Sequence, residues 1–302
     1  VYAGAGGGAL VAPGTDVRRR VALAALLVAA IVLARVDFLG IRQPDASQPH
    51  YQLGNIYART DRDAEAEAEF REALRLVPTF GEARHHLGAL LLREGRVPEA
   101  IAELERAAAD LPGSFRVQRS LAEALEAAGR LEPALAARRQ AATLSAGATE
   151  DRVALATTLG MAGQYAESLD RFRQLEQEGA ADGGWFYLNA GQSALAIKKE
   201  AIGMAWLERA REDPETRRAA STSIARFHLS LGRWDEGQRT LSEALLKDPD
   251  DAELHRLRAF ARYHSGDPTG AIQDLERVLE LDPSDEVSRE RLATLHQEHG
   301  GP

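Results

Sequence analysis

A pattern of small and apolar residues recurs about every 34 residues from residue 47 almost to the C-terminus, and it constrains this chain more than any single residue does. Leu53, Gly54 and Tyr57 are followed by Ala66, Phe70, Ala73 and Pro78. The next unit repeats the order with Leu87, Gly88, Leu91, Ala100, Leu104, Ala107 and Pro112. A third keeps Leu121, Ala122, Leu125, Ala134 and Ala141 but places Arg138 where Phe70 and Leu104 stand. Leu155, Leu159, Ser168, Phe172 and Leu175 mark the fourth. After one extra residue near Gly183-Gly184 come Ala190, Gly191, Ala194, Gly203, Leu207, Ala210 and Pro214. The sixth runs from Ile224 and Ala225 to Leu241, Ala244 and Pro249, and the seventh from Arg258 and Ala259 to Leu275, Val278 and Pro283.

Each unit reads as two short amphipathic helices. Small residues such as Gly54, Ala66, Gly88 and Ala100 let the helices approach, while Leu, Tyr and Phe fill the space beside them. Gly95, Gly129, Gly163, Gly232 and Gly266 share one repeated position, where a positive φ ends the first helix. Pro78, Pro112, Pro249 and Pro283 recur where the second helix stops. One hairpin cannot bury its apolar stripe, so neighbours must stack into a continuous core.

Over residues 47–283 the order of tryptophan-like residue, Leu-Gly, Tyr, Ala, Phe, Ala and Pro resembles the tetratricopeptide repeat family. His50 and His255 stand where that family often has tryptophan. The resemblance implies an all-α, right-handed α-solenoid whose first helices line a concave peptide-binding groove. Counting first-helix residues from the repeat register places Tyr51, Asn55, His85, Arg119, Glu123, Thr157, Gln192, Arg226, Arg256 and Phe260 along that groove, together with Ala89, Val153, Leu188 and Thr222. Asn55 matches the asparagine of carboxylate-clamp members, but Tyr51 and His85 replace the clamp's basic residues, which argues against an acidic C-terminal tail as ligand. Tyr51 and Phe260 are expected to contribute most to binding, since aromatics combine wide apolar burial with little ordering cost.

Hydrophobic residues make up 44% and charged residues 27%, the balance of a folded array rather than a disordered chain. The net charge is −9, and because the first 46 residues carry five arginines against three aspartates, the remainder carries −11. That balance excludes nonspecific nucleic-acid binding, which runs on cationic neutralisation of phosphate. Without cysteine there is no disulfide, thiol nucleophile or thiolate-bound metal. His85 and His86 are adjacent and point apart on a helix, while His296 and His299 stand three apart near a chain end. No glycine-rich phosphate loop, dinucleotide fingerprint or serine elbow is present, so neither an enzyme nor a bound cofactor is expected. The fifth unit departs from the rest: Lys198-Lys199 replace the inter-helix glycine and Trp185 and Trp206 flank them. Local repacking around a longer hairpin is the simpler account, a partner-specific surface the sharper one.

Ahead of the repeats, Arg18-Arg19-Arg20 precede fourteen apolar residues, Val21–Ala34. The run is short of the ~20 residues of a bilayer span unless Arg35 and Asp37 reach the headgroups. The alternatives are a cleaved secretory signal and a helix packed on the first repeat. The arginines favour an inside N-terminus and repeats in the periplasm of a bacterium, anchored in the inner membrane or released there after cleavage. With the apolar, glycine-rich Val1–Leu10, this start also resembles the last membrane helix of a glycosyltransferase that ends in such repeats. The chain thus reads as a glycine-rich start with a basic flank (1–19), a transmembrane or signal-anchor helix (20–39), a linker (40–46), seven repeats (47–283) and a capping helix with tail (284–302). Val287, Leu292 and Leu295 form the apolar stripe of that cap. The expected function is a membrane-tethered scaffold that binds protein segments and organises a larger complex. The alternative is a noncatalytic regulatory or substrate-recruiting domain of a larger membrane enzyme.

Overall fold

The computed structural model describes residues 46–299, which are helical throughout apart from short turns. Helix α1 (Ser47–Arg59) pairs with α2 (Asp63–Leu76), and α3 (Gly81–Arg93) is followed by α4 (Val97–Asp110). Next come α5 (Phe115–Ala127) with α6 (Leu131–Leu144), then α7 (Thr149–Met161) with α8 (Tyr165–Gln177). The series continues with α9 (Gly183–Ala196) and α10 (Glu200–Glu212), and with α11 (Arg217–Ser230) and α12 (Trp234–Leu245). It ends with α13 (Ala252–His264), α14 (Pro268–Leu281) and the unpaired α15 (Glu286–His299). Two compact units, 1–83 and 84–302, divide the chain, with the boundary inside the first turn of α3.

Within a hairpin a small residue on one helix faces a large one on the other. In the first unit a Cβ on Gly54 would sit 2.7 Å from the Phe70 ring, and Phe70 is fully buried. In the second unit the same replacement at Gly88 would meet Leu104 at 2.6 Å. Any larger side chain would push the helices apart, and each large partner would lose burial worth roughly 1.5–3 kcal/mol. Apolar clusters then run from hairpin to hairpin in the second unit. Ala156, Phe172, Phe186 and Trp206 join α7, α8, α9 and α10 in one of them.

Departures from the repeat carry their own compensation. Arg138 occupies the apolar position on α6 and is buried, and it donates at 2.9 and 2.8 Å to the Glu126 carboxylate on α5. Thr158 of α7 donates to the same carboxylate at 2.5 Å. His50 meets Glu69 at 2.5 Å in the first unit. In the second, the buried His255 meets Asp274 at 2.9 Å and the Pro249 carbonyl at 2.9 Å. Asp274, 2% exposed, also accepts from Arg258 and Arg262. A partnered polar cluster replaces the missing indole at that position. Such clusters add little net stability over an apolar core, but removing one member is costly.

The hairpin turns follow one backbone recipe. Gly95, Gly129, Gly163, Gly232 and Gly266 all have φ between 68° and 85°. The residue after each glycine closes the helix end, as in Arg96 N–H to the Leu91 carbonyl at 2.9 Å. Lys198 adopts φ 61° in the fifth turn and Lys199 N–H bonds the Ala194 carbonyl at 2.9 Å, so the lysine performs the glycine's role. Trp206 is buried, with its indole N–H on Glu176 at 3.0 Å, whereas Trp185 is exposed.

Two readings need comment. The hydrophobic helix at 20–39 lies outside the described residues, as do the start at 1–19, most of the linker and the last three residues. Among the described residues no helix is long and apolar enough to cross a membrane: none exceeds 14 residues, about 21 Å at 1.5 Å per residue against a ~30 Å hydrocarbon core. The stripe assigned to the terminal helix is also only partly internal. Leu295 is buried, Leu292 half-buried and Val287 69% exposed.

Backbone strain at the fifth turn is measurable. Lys198→Gly should raise stability by up to about 1 kcal/mol by relieving a left-handed non-glycine residue. Gly163→Ala should lower it by about 1 kcal/mol, since its added Cβ meets no atom within 4 Å and only φ is at issue. Urea midpoints of the two variants should move in opposite directions.

Candidate protein-binding face

The residues placed on the groove by register fall on first helices, in two groups. Tyr51 and Asn55 lie on α1 in the first unit, both half-buried, and the Tyr51 ring packs 5.0 Å from that of Phe80. Part of Tyr51 therefore belongs to the core of that unit. The other eight lie in the second unit: His85 on α3, Arg119 and Glu123 on α5, Thr157 on α7, Gln192 on α9, Arg226 on α11, and Arg256 and Phe260 on α13. Of the wider set, Leu188 is 3% exposed and faces the core.

Most polar members of the second group reach across to the next first helix. His85 Nε2 is 3.0 Å from Ser120 Oγ, linking α3 to α5. Arg119 donates at 3.0 and 3.1 Å to the two oxygens of Asp151 on α7 and lies 2.9 Å from Glu150. Gln192 donates to Ser223 of α11 at 2.8 Å. Arg226 donates to Glu253 of α13 at 2.7 Å, and Arg256 lies 2.8 Å from Asp285 at the start of α15. Arg218, which the register count did not select, holds Asp251 and Glu253 in the same manner, while Asp251 also caps α13 through Leu254 N–H at 3.0 Å. Glu123 is exposed, 3.9 Å from Arg138. This row of contacts holds successive first helices in register.

Burial and charge set two titrations on the row. Burial pushes the His85 imidazole down to about 4, with His86 and Arg116 adding repulsion. Burial opposes the charge of Asp151, but Arg119 and Ser145 outweigh it and hold the carboxyl below its ordinary value.

Among the described residues, two openings along the row take in register residues. Between α7 and α9 a hollow of about 300 Å³ is lined by Thr157, Met161, Tyr165, Asn189, Gln192 and Ser193. Between α13 and α15 a narrower, apolar cleft of about 210 Å³ is walled by Phe260, Tyr263, Leu257 and Val287, with Arg256 and Arg291 at its rim. The fold thus brings Thr157 together with Gln192, and Arg256 together with Phe260. Register counting missed Asn189, Met161, Val287 and Arg291. Asn189 stands three residues before Gln192, close to one helical turn, and was legible in principle; Val287 and Arg291 were hidden because their helix reads as a cap. A third hollow, of about 530 Å³, opens among α6, α7 and α8. Its Arg139, Arg152 and Arg171 pair with Glu167 and Glu178.

Among the described residues no group of three or more histidines, aspartates or glutamates could hold a metal ion. The chain contains no cysteine.

Tetratricopeptide repeat models match residues 61–125 and 224–296. No curated protein matches the chain. Among solved structures, a tetratricopeptide repeat protein from Parabacteroides merdae is 14% identical with a TM-score of 0.64, over 82% of this chain and 98% of that one. The C-terminal part of a repeat-containing protein from Cytophaga hutchinsonii is 11% identical with a TM-score of 0.58, over 80% and 98%. The Cut9–Hcn1 hetero-tetramer of the APC/C is 16% identical with a TM-score of 0.58, over 83% of this chain and 46% of that one. At these identities the likeness establishes the fold, which in the second unit is a right-handed solenoid of stacked helix pairs.

These findings correct the membrane readings. The matches fall on the repeats, and the relatives are repeat proteins rather than glycosyltransferases. Membrane tethering through 20–39, single-pass inner-membrane placement with periplasmic repeats, and likeness to the end of a glycosyltransferase find no support here: no described helix can span a bilayer, residues 20–39 lie outside the described residues, and the matches fall on the repeats.

Two outcomes test the row. Arg119→Met leaves Asp151, 0% exposed, without its guanidinium and should destabilise the protein by about 2 kcal/mol or more, toward the ~3–5 kcal/mol of a broken buried pair. A melting series at pH 7 reads it. His85 is neutral when folded but takes a proton when unfolded below about 6.5, so its contribution is complete above pH 6.5 and declines as pH falls toward about 4. His85→Gln should flatten the stability profile across that window.

Proposed function

We propose that this chain is a protein–protein interaction scaffold that binds protein segments on the exposed side of its first helices and helps assemble a larger complex. The observation that carries this reading is the pairing of open hollows with the register residues: Thr157 with Gln192 and Arg256 with Phe260 each share a cavity. Gln192 and Arg256 also bridge to neighbouring segments, so the open surface of each hollow is supplied mainly by its other lining groups. The two hollows combine apolar wall with a few polar groups, the composition suited to an extended segment with spaced anchors. The acidic balance of the chain favours partners with basic or apolar stretches over nucleic acid. Cut9–Hcn1, similar in fold, is itself an assembly of several chains. On this reading Phe260 anchors binding in the second unit, while Tyr51 and Asn55 belong to a separate surface of the first.

Photo-crosslinking amino acids placed singly at Gln192 and Val287, and for contrast at Glu105 and Glu276 on second helices, test this directly. All four positions are exposed. Adducts with native partners should form at Gln192 and Val287. Adducts confined to Glu105 and Glu276 would overturn the assigned face.

A further inference from the structure

The cleft between α13 and α15 is apolar, and its rim carries Arg291, which makes no ion pair among the described residues although Glu290 and Glu298 line the adjoining hollow with it. Phe260 is 36% exposed and Val287 69% exposed, although both are large apolar side chains on ordered helices. The floor is buried Ala259, Leu275 and Leu295. Behind Phe260 stands an aromatic wall, with Trp234 at 5.9 Å and His264 at 4.4 Å between ring centroids. That wall fixes the Phe260 ring, so an incoming group meets a prepared surface with little ordering cost.

The two rim arginines are not alike. Arg256 is paired with Asp285 at 2.8 Å. Arg291 lies over the Phe260 and Tyr263 rings at 5.6 and 6.0 Å and makes no ion pair among the described residues. A guanidinium held near aromatic rings by cation–π attraction uses none of its N–H donors on them and keeps these for a carboxylate. The volume, about 210 Å³, lies below the ~300–1,000 Å³ of small-molecule and cofactor sites and suits one side chain.

Resting on the scaffold reading, we propose that this cleft is a specificity subsite for a protein segment that presents one large apolar side chain beside a carboxylate. The apolar side chain enters between Phe260 and Val287, and the carboxylate meets Arg291. The chain's net charge of −9 favours basic partners overall, but the local charge at this rim is Arg291, which selects an acidic neighbour over a basic one. The subsite uses Val287 and Arg291, so α15 acts as a wall of the binding face.

A phage-displayed library of random heptapeptides, selected against the immobilised full chain, tests it. Recovered sequences should be enriched in Leu, Ile, Phe or Trp next to Asp or Glu. Val287→Glu should reduce binding of the recovered peptides about tenfold, with helicity and melting unchanged because the side chain is exposed. Arg291→Glu should shift the enrichment from acidic to basic neighbours, an effect that unfolding cannot imitate. Recovery of apolar-basic sequences by the native chain would overturn the proposal. So would peptides insensitive to Val287→Glu but lost with Thr157→Ala and Gln192→Ala, a result that leaves the first-helix face intact. Peptides that crosslink only at Glu105 and Glu276 would remove both readings. Self-association in sedimentation that Val287→Glu abolishes, with no peptide recovered, would assign the cleft to a second copy and end the peptide proposal.

Discussion

Close approach of two helices at a small residue is the constraint on which the remaining structure depends. Gly54 under Phe70 and Gly88 under Leu104 leave less than 3 Å for a Cβ, so helix spacing is set by side chains that are absent. The large partner is then fully enclosed, and the hairpin still has an apolar stripe to cover. Stacking of the next hairpin covers it, as the shared cluster of α7, α8, α9 and α10 illustrates. Stability in such an array is a sum over neighbours rather than the property of one central core. A local departure can then be repaired locally. Arg138 with Glu126 and Thr158, and His255 with Asp274 and Pro249, are two repairs of that kind.

The same stacking decides which surface side chains are free. First helices of successive hairpins lie side by side, and long polar residues on them reach one another before they reach solvent. Arg119, Gln192, Arg226 and Arg256 each find a partner on the following first helix. Exposure therefore survives mainly where the neighbour is short, apolar or absent. At α7 and α9 it leaves a polar hollow, and at α13 and α15 an apolar one. A binding face in a repeat array arises as the remainder after inter-repeat contacts are made.

Much of the fold was legible in the residues. Positive-φ glycines, helix-stopping prolines and the small–large alternation are local requirements, and each appears at the position its spacing predicts. Lys198 shows the limit of that legibility: the turn keeps the glycine conformation with a residue that would not announce it. Val287 shows another, because an amphipathic pattern on a terminal helix places a residue on the apolar stripe without saying whether anything covers it. Leu188 was counted onto the open face yet is buried in an apolar cluster with Leu207, Ala210, Ala220 and Ile224.

By itself, the sequence determined the helical hairpins and their turns, because these depend on residues near one another along the chain and on a periodicity that repeats. Tertiary structure alone decided which register residues are engaged by the next helix and which face solvent. It also decided that Phe260 on α13 and Arg291 on α15 share one cleft. The physical reason is that the partner of many polar side chains in this fold lies 12 to 35 residues away on another helix, as in Arg138 with Glu126 and Arg218 with Glu253. No local pattern records which of two nearby carboxylates it will find.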